Sequence, residues 1–179
     1  MTALSKVPQA ACRLTVGDFL VKHAAARPCA IAVQGAGRAL TYADLNACVN
    51  RLANALARRG IRRGERVAIF SENQLAYLEL ELAAAKLGAI VACLNWRLAA
   101  GELAHCIELA SPALLFVSER FAPVLEGVAH RVPRVLRIES EYEALLAGAD
   151  AREPESAVGA EDGLVILYTS GTPGLPKGA

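Results

Sequence analysis

The stretch LYTSGTPGLPKGA, Leu167 to Ala179, gathers the residue types that hold phosphate. Gly171, Gly174 and Gly178 allow backbone conformations with positive φ and close approach of a ligand. Consecutive main-chain N–H groups in such turns form concave anion sites. Thr169, Ser170 and Thr172 add hydroxyl donors, and Lys177 brings a mobile positive charge suited to phosphate oxygens. The same residues also suit a polar surface turn, so composition leaves a turn and a phosphate cradle both standing. A Walker A loop needs G-x-x-x-x-G-K-[ST]. From Gly171 the chain reads G-T-P-G-L-P-K-G, with Pro176 in place of the last glycine and Gly178 in place of the metal-binding hydroxyl. Pro176 also removes an N–H such a loop would donate, which argues against a P-loop NTPase.

Other chemistry-bearing residues are scattered. Cys12, Cys29, Cys48, Cys93 and Cys106 form no CxxC pair, and their spacing suggests neither a disulfide framework nor a zinc site with His23, His105 or His130. Cys48 and Cys93 sit in apolar patterns and read as small core residues. His105 and Cys106 are adjacent, but neighbours on a helix point about 100° apart, which disfavours a catalytic pair. Trp96 could line a pocket or simply pack beside a strand end. The cluster Arg58, Arg59, Arg62, Arg63, Arg66 reads as a solvated helix end and turn, with a phosphate-binding surface as the lesser reading. With 19 basic and 18 acidic residues the formal charge is +1, which steers the chain toward neither nucleic acid nor anionic lipid. Lys6, Arg13 and Asp18 interrupt any secretory signal, and the apolar run near Ala83 to Leu94 is too short to span a bilayer. A reducing cytoplasm is the expected location; oligomeric state has no signature in the sequence.

The elements that must position the loop follow from periodicity. Thr15 can cap a helix to Ala26, boxed with Asp18, with Val16, Phe19, Leu20 and His23 on one face. Ala30–Gln34 and Arg38–Tyr42 flank Gly35-Ala36-Gly37 as a hairpin. Thr41 and Asp44 open a second helix with the stripe Leu45, Val49, Leu52, Leu56, closed by Gly60. Then strands and helices alternate: strand 66–71, helix 74–88, strand 89–95, helix 99–110, strand 113–118, helix 120–130 that Pro123 opens or kinks, strand 134–138, helix 141–147. That alternation predicts an α/β fold, a parallel sheet built of right-handed βαβ units with helices on both faces. Strands such as VAIF and LLFV are apolar throughout, as two-sided burial requires.

Residues 148–162 are polar and rich in Gly, Ala and Pro, and read as a linker or surface loop. GLVILYT then reads as a buried strand with no strand after it to pair with, an open edge that suggests neighbours further along and a chain cut short. The expected organisation is a tail 1–14, an α/β subdomain 15–147, a linker 148–162, and 163–179 as the first strand and phosphate loop of a second subdomain.

YTSGTPGLPKG resembles the phosphate-loop signature of the adenylate-forming (AMP-binding) synthetases, Tyr-Thr-Ser-Gly-Thr-Thr-Gly-x-Pro-Lys-Gly. LTYADLNACVNRLANALARRGIRRGERVAIFSEN and AAKLGAIVACLNWRLAAGELAHCIELASPALLFVS are similar to the family's earlier blocks, in the same order. LNWRL, with Asn95, Trp96 and Arg97, looks most like the acyl-CoA synthetases; peptide-synthetase domains tend to carry aspartate where Asn95 stands. One departure is Pro173, where the family has Thr or Ser. It removes a hydroxyl and a backbone N–H and biases Thr172 toward an extended conformation, so a weaker phosphate grip is expected.

The resemblance implies an N-terminal part of an enzyme that joins a carboxylic acid to ATP, with Mg2+, and passes the acyl group to coenzyme A. It assigns Thr169, Ser170, Gly171, Thr172, Gly174 and Lys177 to the nucleotide phosphates, with Lys177 as an electrostatic clamp. The family's catalytic lysine, acidic magnesium ligand and most of the acyl pocket would lie beyond residue 179. The segment alone is therefore expected to be inactive, with no catalytic residue of its own and the acid unspecified. The alternatives are a non-catalytic α/β remnant or interaction module, and nucleotide binding without chemistry.

Overall fold

The structure, a computed structural model, describes residues 14–35, 37–169 and 175–179. Its first helix, α1 (Val16–Ala26), opens on the expected capping box: the Asp18 N–H donates to Thr15 Oγ1 (3.3 Å) and the Thr15 N–H to Asp18 Oδ2 (2.7 Å). The face that meets the core differs from the expected one. Leu20 and Gly17 are buried, while Val16 and Phe19 are exposed, Phe19 by 52%. The helix packs through its smallest residue: a Cβ at Gly17 would stand 3.1 Å from Lys86 Cγ. Backbone proximity to the neighbouring helix thus outweighs burial of the larger side chains.

The hairpin β1 (Ile31–Gly35) and β2 (Arg38–Thr41) forms a small antiparallel sheet of its own. Helix α2 (Tyr42–Arg58) follows, boxed by Thr41 and Asp44, and its stripe Leu45, Val49, Leu52, Leu56 is buried as the spacing requires. The main sheet then comprises β3 (Arg66–Phe70), β4 (Ile90–Leu94), β5 (Leu114–Val117), β6 (Val135–Arg137), β7 (Val165–Thr169) and β8 (Lys177–Gly178). The order is β6-β5-β3-β4-β7-β8, parallel throughout except for β8.

Alternate strand residues face opposite layers. Val67, Ile69, Val91, Leu114 and Phe116 pack against α2, α3 (Leu75–Leu87) and α6 (Ile138–Leu146). Ala68, Phe70, Ala92, Leu115 and Val117 pack against α4 (Ala100–Ala110) and α5 (Ala122–Glu126). The crossover from β3 to β4 uses the first face, and those from β4 to β5 and β5 to β6, which run the other way across the sheet, use the second. Right-handed crossovers require that change of face with change of direction. Pro123 stands in the first turn of α5, so it opens the helix, which is shorter than the expected 120–130.

The final strand departs from expectation in two respects. It is half-exposed, with Leu167 58% exposed, and it has partners on both sides. Its residues Val165, Ile166 and Leu167 pair with Val91, Ala92 and Cys93 of β4, inside the sheet of the preceding strands. The chain then doubles back, and β8 pairs with it: Tyr168 opposite Gly178 and Thr169 opposite Lys177. The open edge read from the sequence is thus partly filled by the short β8 of the same chain, a local reversal that apolarity alone does not announce.

Candidate functional site

In open α/β sheets ligands bind outside the carboxyl ends of the strands. Thr169 ends β7 at that side, and Lys177 is brought directly opposite it. The ribbon is closed below by two bonds, the Leu167 N–H to the Ala179 carbonyl and the Ala179 N–H to the Leu167 carbonyl, each 2.9 Å. Directly opposed residues of an antiparallel pair point to the same face, and odd-numbered β7 residues share the α3 side with Cys93. Thr169 and Lys177 therefore flank one open face. Both are exposed, and among the described residues neither side chain has a hydrogen-bond or ion-pair partner. Ser170, Gly171, Thr172 and Gly174, with Pro173, lie outside the described residues.

Gly178 makes this pairing possible. It faces the α4 side, where a Cβ would stand 3.0 Å from Ile166 Cγ2 and 3.4 Å from the Tyr168 ring. Tyr168 is fixed in turn: its O–H donates to the Cys106 carbonyl at 2.9 Å, and burial pushes its pKa to about 12. Pro176, buried, anchors the second foot of the loop.

The neighbouring strand ends carry an aromatic and cationic shelf. Trp96, after β4, stacks on Phe121 (5.6 Å between centroids), which lies against Phe70 (5.5 Å). The Arg97 guanidinium sits 4.0 Å from the Trp96 centroid, and Arg120 lies over Phe121 at 5.3 Å and pairs with Glu72. Asn95 shapes the turn, its Oδ1 accepting the Arg97 N–H at 3.0 Å. Trp96 thus serves as packing under Arg97, the plainer of its two readings. Glu72 and Arg120 escaped sequence reasoning; their only signal was position directly after a strand. Ser118, just after β5, is buried, and among the described residues its hydroxyl has no partner.

Elsewhere the alternatives weaken. Burial pushes the Cys106 thiol to about 11, which removes it as a nucleophile beside His105. The arginine cluster caps backbone: Arg58 donates to the Gly148 carbonyl (3.2 Å), Arg62 to the Ala57 carbonyl (2.5 Å), Arg66 to the Ala110 carbonyl (2.9 Å), and Arg63 pairs with Asp162 (2.7 Å). A cavity of about 790 Å³ bordered by Arg58, Arg62, Ile61, Leu87 and Glu155 lies at the amino ends of the strands, the opposite end of the sheet from Thr169. No helix among the described residues is long and apolar enough to cross a membrane.

Comparison with known proteins places the chain in a family and matches its fold. Feruloyl-CoA synthase of an Amycolatopsis species is 38% identical over 164 residues, which are 92% of this chain and 32% of that protein. A long-chain-fatty-acid–CoA ligase of Mycobacterium tuberculosis is 37% identical over 145 residues, 78% of this chain and 29% of the ligase. The chain thus spans about a third of the length of the curated relatives it matches. Among solved structures, the N-terminal domain of FACL13 from Mycobacterium tuberculosis superposes with a TM-score of 0.81 at 31% identity, over 92% of this chain and 43% of that one. The anthranilate–CoA ligase AuaEII superposes with a TM-score of 0.86 over 99% of this chain and 34% of that one; at 24% identity this shows the fold alone. The family pattern described as "AMP-binding enzyme" matches residues 20–179, through the glycine-rich loop to the last residue, and the chain belongs to that family.

Proposed function

We propose that this chain carries the phosphate-gripping part of an acid-activating ligase. In the reaction of the whole enzyme, a carboxylate oxygen attacks the α-phosphorus of ATP, the bond to the pyrophosphate oxygen breaks, and pyrophosphate leaves with that electron pair. The coenzyme A thiol, giving its proton to a solvent base, then attacks the acyl carbon and AMP departs. The names of the relatives support the class, since they activate aryl or fatty acids as thioesters.

The observation that carries the reading is the ribbon that sets Thr169 opposite Lys177, both exposed at the carboxyl end of a parallel sheet, at either foot of the glycine-rich turn. A carboxylate meeting a polyanion is opposed by charge, so the site must neutralise phosphate oxygens. Lys177 supplies a cation and Thr169 a hydroxyl, and Ser170, Gly171, Thr172 and Gly174 complete the proposed contact set. Among the described residues no three His, Cys, Asp or Glu side chains gather to hold a metal. The chain by itself is proposed to bind nucleotide without adenylating, in the cytoplasm.

Titration with a fluorescent ATP analogue in Mg2+ tests this. Saturable binding is expected, weakened about tenfold in Lys177→Ala, the loss of one charge-assisted contact of about 1.4 kcal/mol. Acid-dependent ATP–pyrophosphate exchange should be absent. Absence of saturable binding, or equal affinity in Lys177→Ala, refutes the reading.

A further inference from the structure

Between α6 and β7 the chain crosses from one edge of the sheet toward the other without a regular element. The other crossovers of the sheet are held by helices packing on strands. This one is held by polar side chains. Asn46, Asn50 and Asn54 recur every four residues and so form one stripe along α2. Asn54 Nδ2 donates to the carbonyls of Asp150 (2.8 Å) and Arg152 (2.9 Å). Asn50 Nδ2 donates to the Ala151 carbonyl (2.9 Å) and Glu153 Oε1 (3.0 Å), and Asn46 Nδ2 to Glu153 Oε1 (2.7 Å). The segment runs antiparallel to α2, read off by three successive amides.

Lys86 of α3 completes the clamp. Its side chain is 4% exposed, and Nζ donates to Asn46 Oδ1 (2.7 Å), Asn50 Oδ1 (2.6 Å) and Glu153 Oε2 (2.5 Å), which uses all three of its N–H groups. Ser156 Oγ donates to the Lys86 carbonyl, and Arg63 and the Gly159 N–H hold Asp162 just before the strand. Burial lowers the Lys86 pKa, partly offset by Glu153. Burial would raise that of Glu153, but bonds from Lys86, Asn50 and Asn46 hold it below the usual range. A buried ammonium and a row of asparagines are poor choices for helix stability alone, where aliphatic residues would pack better. They deliver a defined path to the strap.

Strand β7 needs that path. On its α3-side face Leu167 is 58% exposed, and the strand's remaining restraints are the β4 ladder, the Tyr168 bond and the β8 ribbon that travels with it. We propose that Lys86, Asn46, Asn50 and Asn54 are positioning residues for the candidate phosphate site: by clamping the 150–156 strap they set where β7 stands, and with it Thr169 and Lys177. The consequence for nucleotide rests on the function proposed above; the positioning itself does not.

Hydrogen exchange on the whole chain, without nucleotide, tests the positioning in Glu153→Ala and in the double variant Asn50→Ala/Asn54→Ala. Amides of 165–169 and 177–179 should exchange at least tenfold faster, with 66–70 and 114–117 unchanged. A merely structural role would loosen all four segments together, and that result, or no change in β7 and β8, overturns the proposal. ATP-analogue binding in the same variants should weaken severalfold; wild-type-like affinity also overturns it. If the unaltered chain binds no analogue while β7 and β8 loosen selectively, the nucleotide reading falls and the clamp stands. Glu153 is 45% exposed, but its truncation leaves the buried Lys86 ammonium without its carboxylate, so unaltered exchange at 66–70 and 114–117 is the check that the fold is retained, and the asparagine double variant keeps that ion pair.

Discussion

Removing one oxygen from Tyr142 tests how α6 is locked to α3. The Tyr142 O–H donates to Glu79 Oε2 at 2.5 Å, with Tyr142 6% and Glu79 4% exposed. In Tyr142→Phe the ring keeps its edge contact with Phe116, 6.4 Å between centroids, and only the hydroxyl is lost. Among the described residues Glu79 then has no hydrogen-bond donor, and the residue is only 4% exposed. A hydrogen bond to a charged group contributes about 1.5–3 kcal/mol, and a neutral one about 1 kcal/mol. The pH dependence fixes which applies. Burial raises the Glu79 pKa above 4.5, opposed by the Tyr142 bond and the Arg38 charge. For a carboxyl raised on folding, the native state binds the proton more tightly, so its contribution is largest below 4.5 and is lost as pH rises through the folded value. At pH 8, on the side that favours the ionised form, Tyr142→Phe should lose about 2 kcal/mol, or about 4–8 °C in Tm for a chain of this size. As pH falls toward the protonated form of Glu79, the loss should shrink toward about 1 kcal/mol, so it should be smaller at pH 5 than at pH 8. Urea unfolding by circular dichroism at both pH values, with Glu79→Gln closing a double-mutant cycle, measures this. A loss below about 0.5 kcal/mol at pH 8, or strict additivity of the two substitutions, refutes the lock.

Two further outcomes follow from particular contacts. Gly178→Val puts branched carbon against Ile166 and Tyr168, where even a Cβ would stand at 3.0 and 3.4 Å, so β8 should leave β7; nucleotide-analogue affinity should fall with little change in urea midpoint, and an unchanged affinity would count against the ribbon as the site's frame. Cys29 is exposed whereas the Cys106 thiol is buried and raised to about 11, so thiol labelling mapped by mass spectrometry at pH 7.5 should find Cys29 modified in the native chain and Cys106 only after unfolding.

The sequence by itself determined what depends on near neighbours along the chain. Thr15 with Asp18 and Thr41 with Asp44 announce their helices because capping needs only residues three apart. The α2 stripe and the apolar runs of β3 and β5 follow from the periods of helix and doubly covered strand, and their alternation implies a parallel sheet. The phosphate chemistry proposed for the terminal turn rests on residue types legible in the sequence, with Thr169 and Lys177 as its two described members. Tertiary structure alone decided which elements meet. Phe19 looked like a core residue until Gly17 brought α1 onto Lys86, and residues 148–162 read as a linker or surface loop, with nothing local to show that three asparagines and a lysine, 67 to 107 positions away, grip the segment. The last strand found β4 on one side and its own returning chain on the other. Pairings of that kind depend on sheet order and on side chains distant in sequence, and no local period or propensity encodes them.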